Sequence, residues 1–377
     1  GTEMGLYVSL DGGDNWTQFK ANVPDYVAVR DIVIHPQTND IVLATHGRGI
    51  LIIDDISPLR TFDDKLLNSD VALLPTRPTP VTVGHYGGIF SFPSGGGWVG
   101  ANASESATIV YYLKDRVMSG DVKVDIFDDK GNFLVSLPGT KRKGVNKLGW
   151  NMKLKPPRTA QGAAVQEMGA MAGIFGPLAK PGTYNIKLTA GNKVVEGKIE
   201  LIPDPKSGIT DEQRAIRYKT GAELYKMVED LAFLTAQVKS LEDSIQVRLP
   251  LVKNPKLKAE IQGLYNQLEG IRKELVATNE SSGITGEERL RERLGKLYIL
   301  VENQDSKPTD SQIERSQTLK TELKQSESKA QTQFDVLPKI NTQLNKAKIA
   351  PLQLLERQQF EKRNDAPARI GAGGGLL

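Results

Sequence analysis

The run Ser9-Leu10-Asp11-Gly12-Gly13-Asp14-Asn15-Trp16 constrains the fold more than any other stretch of this sequence. An Asp at the head of a tight turn accepts hydrogen bonds from backbone N–H groups just ahead of it and closes the turn on itself. Gly12 and Gly13 can take the positive φ that such a turn demands and that other residues resist. Trp16, at the exit, is expected to pack its ring against the adjoining sheet and lock the turn. A turn of this kind joins two antiparallel strands, so the chain opens in β structure.

The pattern recurs once in degenerate form. Gly5-Leu6-Tyr7-Val8-Ser9-Leu10-Asp11 aligns with Gly49-Ile50-Leu51-Ile52-Ile53-Asp54-Asp55 at an offset of about 44 residues, inside the roughly 40–50 of a propeller-type repeat. The second copy keeps the strand and the Asp but has Ser57 and Pro58 where the first has Gly13 and Asp14. A degenerate copy is expected of a terminal repeat. Pro58 cannot extend a central strand, so the strand 49–53 is expected to end its sheet with an unpaired edge.

The first copy, with Ser9, Asp11, Gly13 and Trp16 in register, resembles the BNR/Asp-box β-propellers, which include sialidases, sortilin-like receptors and bacterial secreted proteins. In that superfamily the box is a folding device. The resemblance implies that residues 1–60 are the last part of a propeller. With Gly1 in place of Met, the chain is read as the C-terminal part of a longer protein, whose upstream blades would be its first partner.

Further strands follow. Residues 107–113, 122–127, 133–137, 144–150, 182–188 and 194–201 are short β-rich runs separated by turns such as Asp128-Asp129-Lys130-Gly131-Asn132 and Ala190-Gly191-Asn192-Lys193. This rhythm predicts a β-sandwich over 61–205. The string from Val124 to Phe127, Leu148-Gly149-Trp150-Asn151 and Pro181-Gly182-Thr183-Tyr184 resembles the Ig-like domain of flagellar hook-capping proteins. The Gly-, Ala- and Met-rich stretch 156–180 reads as a long loop inserted in that domain.

Residues 206–365 read as an antiparallel four-helix bundle. Thr210-Asp211-Glu212-Gln213 forms a capping box. The series Ile216, Thr220, Leu224, Met227, Leu231, Leu234, Val238, Leu241, Ile245 steps by four and three, as an apolar helix seam does. Asn254-Pro255 starts a second helix with Leu257, Ile261, Leu264, Leu268, Ile271 and Leu275. Thr285-Gly286-Glu287-Glu288 is expected to cap a third, and Thr309-Asp310-Ser311-Gln312 a fourth that Pro338 kinks or stops. The tail 366–377 is expected to be mobile. The fold class is thus mixed and multidomain: terminal propeller blade, Ig-like sandwich, helical bundle. That order resembles long bacterial sortilin-like and exo-sialidase-like proteins, and it implies a secreted, periplasmic or envelope location.

Composition narrows the chemistry. There are 377 residues, no Cys and a net charge of +4. Thiol chemistry is therefore excluded, and interspersed Lys, Arg, Asp and Glu give no basic patch for nucleic acid. No apolar run approaches a membrane span. Glycoside hydrolysis needs two carboxyl groups facing one cleft; among the carboxylates of residues 1–60, Asp11 is committed to the box, Asp31 opens a strand and Asp40 sits in a turn. No catalytic residue, metal site or cofactor is assigned. Loop residues His46, Arg48, Tyr86 and Trp98 are the candidates for binding a protein or glycan. The expected function is that of a non-catalytic part of an Asp-box propeller protein. The alternative is an accessory region of a sialidase-like glycoside hydrolase whose catalytic residues lie in other blades.

Overall fold

The computed structural model describes residues 1–20, 23–83, 104–163, 168–279 and 287–363. Tyr86, Trp98, the Thr285-Gly286 pair and the tail 366–377 lie outside them. The chain is a mixed sheet-and-helix protein with several sheets, and it divides into two compact units. The first holds 1–82, 104–154 and 179–207; the second holds 155–178 and 208–363.

In the first unit, β1 (Tyr7–Val8) pairs with β2 (Thr17–Gln18) across the Ser9–Trp16 turn. β3 (Ala28–Ile34), β4 (Ile41–His46) and β5 (Ile50–Ile53) form a separate antiparallel sheet in that order, with β5 at its edge. Cross-strand register places Val33, Val42 and Ile52 in one row and Ile32, Leu43 and Leu51 in the next. Both faces of this sheet are therefore apolar. One face carries buried Leu43 with Leu51, Ile41 and Ile53 against Leu6, Val27, Val29 and Phe19. On the other face Val33, Ile50 and Ile52 are exposed, Ile50 to 70%.

A short helix α1 (Asp64–Asn68), capped by the Asp63 carboxylate on the Leu66 N–H, leads to β6 (Val71–Leu74) and β7 (Thr79–Val81). The remaining strands are β8 (Ala107–Leu113), β9 (Val122–Phe127), β10 (Phe133–Pro138), β11 (Gly144–Trp150), β12 (Gly182–Ala190) and β13 (Lys193–Pro203). They build a five-stranded sheet, β10-β9-β12-β13-β7, and a three-stranded sheet, β11-β8-β6. Pro80 sits in β7, which joins β13 as a parallel edge strand where a missing N–H is tolerated. The two sheets meet through side chains. Trp150 on β11, fully buried, stands edge-on to Tyr184 on β12 with ring centroids 5.3 Å apart. Gly197 on β13 leaves room for Leu73 on β6, whose Cδ1 would lie 2.8 Å from any added Cβ.

The second unit is helical: α2 (Asp211–Arg248), α3 (Pro255–Leu275), α4 (Leu290–Glu302), α5 (Asp310–Phe334), α6 (Leu337–Lys346) and α7 (Arg357–Arg363). Capping boxes at Thr210/Gln213 and Thr309/Gln312 start α2 and α5, and Asn254 accepts from Lys256 and Leu257 N–H at the start of α3. The α2 seam is buried from Leu224 to Ile245, and all six apolar positions of α3 are buried. Ile216 departs from expectation and is 38% exposed. Pro338 does more than stop a helix. α5 ends at Phe334, and Pro338 lies in the first turn of α6, where its missing N–H costs nothing.

Two expectations need correction. The third helix begins at Leu290 behind Arg289, with the Glu292 carboxylate accepting from the Arg289 N–H at 3.1 Å, so Glu287 and Glu288 precede it. The Glu287 carboxylate instead accepts from the Thr278 N–H, which, with Arg289 beside it, draws its pKa down to about 2. The stretch 155–178 is not a loop on the sheets. It belongs to the helical unit, contains a 3-10 helix over Met168–Ile174 and packs on α4. Its glycines are the reason: a Cβ on Gly295 of α4 would run into the Gly169 carbonyl, so only two glycines let these backbones touch.

Candidate functional site

The Ser9–Trp16 turn is closed by its own side chains. The Asp11 carboxylate accepts from the Asn15 N–H (3.0 Å), the Ser9 hydroxyl (2.7 Å) and the Asn15 amide (2.7 Å). Ser9 Oγ accepts from the Gly13 N–H at 2.8 Å. Gly12 and Gly13 have φ of 75° and 105°. The Asn15 N–H first, then Ser9 and the Asn15 side chain, hold the Asp11 pKa far below the ordinary carboxylate value. Asp128 repeats the arrangement one sheet away, accepting from Asn132 N–H (2.7 Å) and Asn132 Nδ2 (2.8 Å). Its pKa is lowered by the same kind of contact. Both oxygens of Asp11 are thus engaged in holding a turn.

A carboxylate with a depressed folded-state pKa contributes stability that is complete above its unfolded value and is lost only as pH falls through the folded one. An NMR titration should therefore find Asp11 still ionised at a pH where a carboxyl group of ordinary pKa is half-protonated. Replacing Asn15 with Ala should move the Asp11 midpoint back toward the ordinary carboxylate value. An ordinary Asp11 midpoint in the unaltered chain would mean that the turn is not closed as described.

Trp16 does not bury its ring as expected. It is 64% exposed, and its indole Nε1 donates to the Gly13 carbonyl at 3.0 Å. The two-residue strands beside it offer too little surface to cover an indole. The ring closes over the turn itself.

Of the other carboxylates in the first sixty residues, Asp40 and Asp55 are engaged together. Arg77, which the sequence did not single out, donates from its side chain to Asp40 Oδ1 (2.8 Å) and the Thr38 carbonyl (3.0 Å), and from its backbone to Asp55 Oδ2 (3.0 Å). Asp55 N–H in turn donates to Asp40 Oδ1 at 2.8 Å. Burial pushes the Asp40 pKa up, but Thr38, the Asp55 N–H and Arg77 together outweigh it and lower it. This lock holds Asp55 at a positive φ of 44°. His35 accepts from the Thr38 N–H as a turn residue does. His46 and Arg48 are both exposed at the β4–β5 connection, and Tyr86 and Trp98 lie outside the described residues. Among the described residues there is no group of three or more His, Asp or Glu able to hold a metal, and no helix is long and apolar enough to cross a membrane.

A cleft of about 710 Å³ opens in the helical unit between residues 155–163, α2 and α3. Sequence reasoning missed it because its walls come from segments far apart in the chain. Its charges are paired: Arg158 with Glu229 (2.8 Å), Arg272 with Glu242 (2.9 Å) and Lys239 with Asp243 (2.7 Å). Phe360 closes one side under the Arg158 guanidinium, 5.7 Å from the ring centroid. Burial raises the Glu242 pKa, and Arg272 opposes that rise. Balanced ion pairs beside apolar walls suit an uncharged, partly polar ligand better than an anion.

No protein-family model matches the chain, and no curated protein matches it. Among solved structures, the crystal structure of CopC from Methylosinus trichosporium OB3b is similar at 18% identity, over 28% of this chain and 83% of that one, with a TM-score of 0.16. A superposition that slight bears on neither fold nor function.

Proposed function

We propose that this chain is a non-catalytic part of a secreted or envelope-associated Asp-box propeller protein. In this reading β3–β5 is a propeller blade, the two larger sheets are an Ig-like sandwich, and the helical unit is an antiparallel bundle. Its partners are further blades of the same parent protein and a protein or glycan ligand.

One observation carries the reading. The β3–β5 sheet is apolar on both faces, with Val33, Ile50 and Ile52 exposed on one of them. A sheet with one face in water alternates apolar and polar residues, whereas a sheet packed on both sides does not. Blades stacked face to face around a propeller need apolar surface on both sides. The self-satisfied Asp11 turn supports the same reading, since a carboxylate engaged at both oxygens is poorly placed to act as acid or nucleophile.

The test pairs glycan-array binding with hydrolysis assays on sialosides and β-glucans. Binding to a glycan class without turnover is the expected result. Turnover that disappears on Asp11→Asn or Asp55→Asn would overturn the non-catalytic reading and favour the glycoside hydrolase alternative.

A further inference from the structure

The edge of β5 is self-complementary, and we infer that it pairs with β5 of a second copy of this chain. The backbone phase is set by the β4–β5 hairpin. The Thr45 N–H donates to the Gly49 carbonyl at 3.1 Å, and Leu43 lies across from Leu51. In an antiparallel ladder the groups of alternate residues point to opposite sides. Residues 49, 51 and 53 therefore turn their backbone groups toward β4, and Ile50 and Ile52 turn theirs outward. Among the described residues no strand lies on that side.

A two-fold axis through Leu51 satisfies these groups. It sets Ile50 across from Ile52 of the second copy, and Ile52 across from its Ile50. Each pair then exchanges both of its N–H to carbonyl bonds, while Leu51 meets Leu51 on the axis. Ile50 and Ile52, 70% and 61% exposed, gain cross-strand apolar partners on the same face.

The flanking charges fit the same axis. Arg48 and Asp54 bracket the strand, both are exposed, and neither makes a hydrogen bond or ion pair within the described part of the chain. The pairing that matches Ile50 with Ile52 also sets Arg48 across from Asp54 of the other copy, twice per dimer. A parallel or shifted pairing would lose that match. Exposed apolar edges without such charge matching are a route to open-ended aggregation. Here the two-fold closes the contact at two copies. The pairing uses the strand edge, not the sheet face on which a neighbouring blade would pack, so it does not rest on the propeller reading.

A contact this small belongs to the weak class, so sedimentation of the chain is followed from about 10 to 500 µM. The expected result is a reversible monomer–dimer equilibrium. Arg48→Glu and Asp54→Arg should each weaken the dimer about tenfold, because each sets like charges across the axis twice. Mixed one to one, the two variants should associate with each other as tightly as the unaltered chain, since both flanking pairs are then opposite in sign. Ile52→Pro should abolish the dimer and leave the far-ultraviolet circular dichroism spectrum unchanged, because it removes an outward N–H and no bond to β4. A chain that stays monomeric throughout, or a dimer indifferent to the charge variants, would overturn the inference. So would a mixture of the two variants that fails to recover association.

Discussion

Arg291→Ala is expected to cost the helical unit roughly 3–5 kcal/mol, because it strands a buried carboxylate. Arg291 and Glu292 are neighbours at the start of α4, with side chains only 6% and 2% exposed, and their charges meet at 2.5 Å. The guanidinium also donates to the Ala160 carbonyl at 3.1 Å, across 131 residues of chain. Ala would leave the Glu292 charge in a dry site and release Ala160 together. Urea melts followed at 222 nm measure the first effect. Hydrogen exchange at the Ala163 N–H, which donates to the Ala277 carbonyl at 3.0 Å, reads the second and should accelerate. Replacing both charges, Arg291→Met with Glu292→Leu, should recover part of the loss, because apolar groups of similar size need no counter-charge, while the Arg289 N–H and the Ala160 carbonyl still lose their partners. A single variant within about 1 kcal/mol of the parent would show that the pair is solvated.

Trp150→Ala should cost about 3–5 kcal/mol, whereas Trp16→Ala should cost about 1 kcal/mol or less. Trp150 has no exposed surface, stands edge-on to Tyr184 and donates from Nε1 to the Lys153 carbonyl at 3.3 Å. Its removal opens a cavity between two sheets. Trp16 is mostly in water and loses one hydrogen bond to Gly13. Thermal melts followed by near-ultraviolet circular dichroism separate the two. A large loss at Trp16 would mean that its ring is covered in solution. A small loss at Trp150 would contradict the packing of the two sheets.

The 155–178 stretch explains why burial of charge and close backbone contact occur together in the helical unit. Beyond Arg291, Glu229 holds Arg158 through its backbone N–H (2.6 Å) and guanidinium (2.8 Å). Glu302 accepts from the Leu178 N–H at 3.3 Å, and the Tyr298 hydroxyl donates to the Phe175 carbonyl at 2.8 Å. Burial, with Glu302 nearby, drives the Tyr298 pKa up, so this phenol stays a donor. A segment with little regular structure must satisfy its backbone groups elsewhere. Here several of them are met by side chains of α2 and α4.

What the sequence determined by itself is local. The strands 107–113, 122–127 and 144–150, the hairpin at Gly191 (φ 60°) and the caps at Thr210, Asn254 and Thr309 stand where the residues put them. So does the Asp11 turn, whose bonds span two to four residues. Each depends on hydrogen bonds or apolar periods within a few positions, which pattern reading captures. Tertiary structure decided the rest. Which tryptophan is buried depends on the surface available to cover it, and two tryptophans with similar turn-adjacent settings came out opposite. Arg77 became the lock for Asp40 and Asp55, and 155–178 joined the helices, through contacts whose partners lie tens to more than a hundred residues away. Nothing in the spacing of those residues announces such contacts, because their energy comes from desolvation and close approach that exist only once the chain has packed.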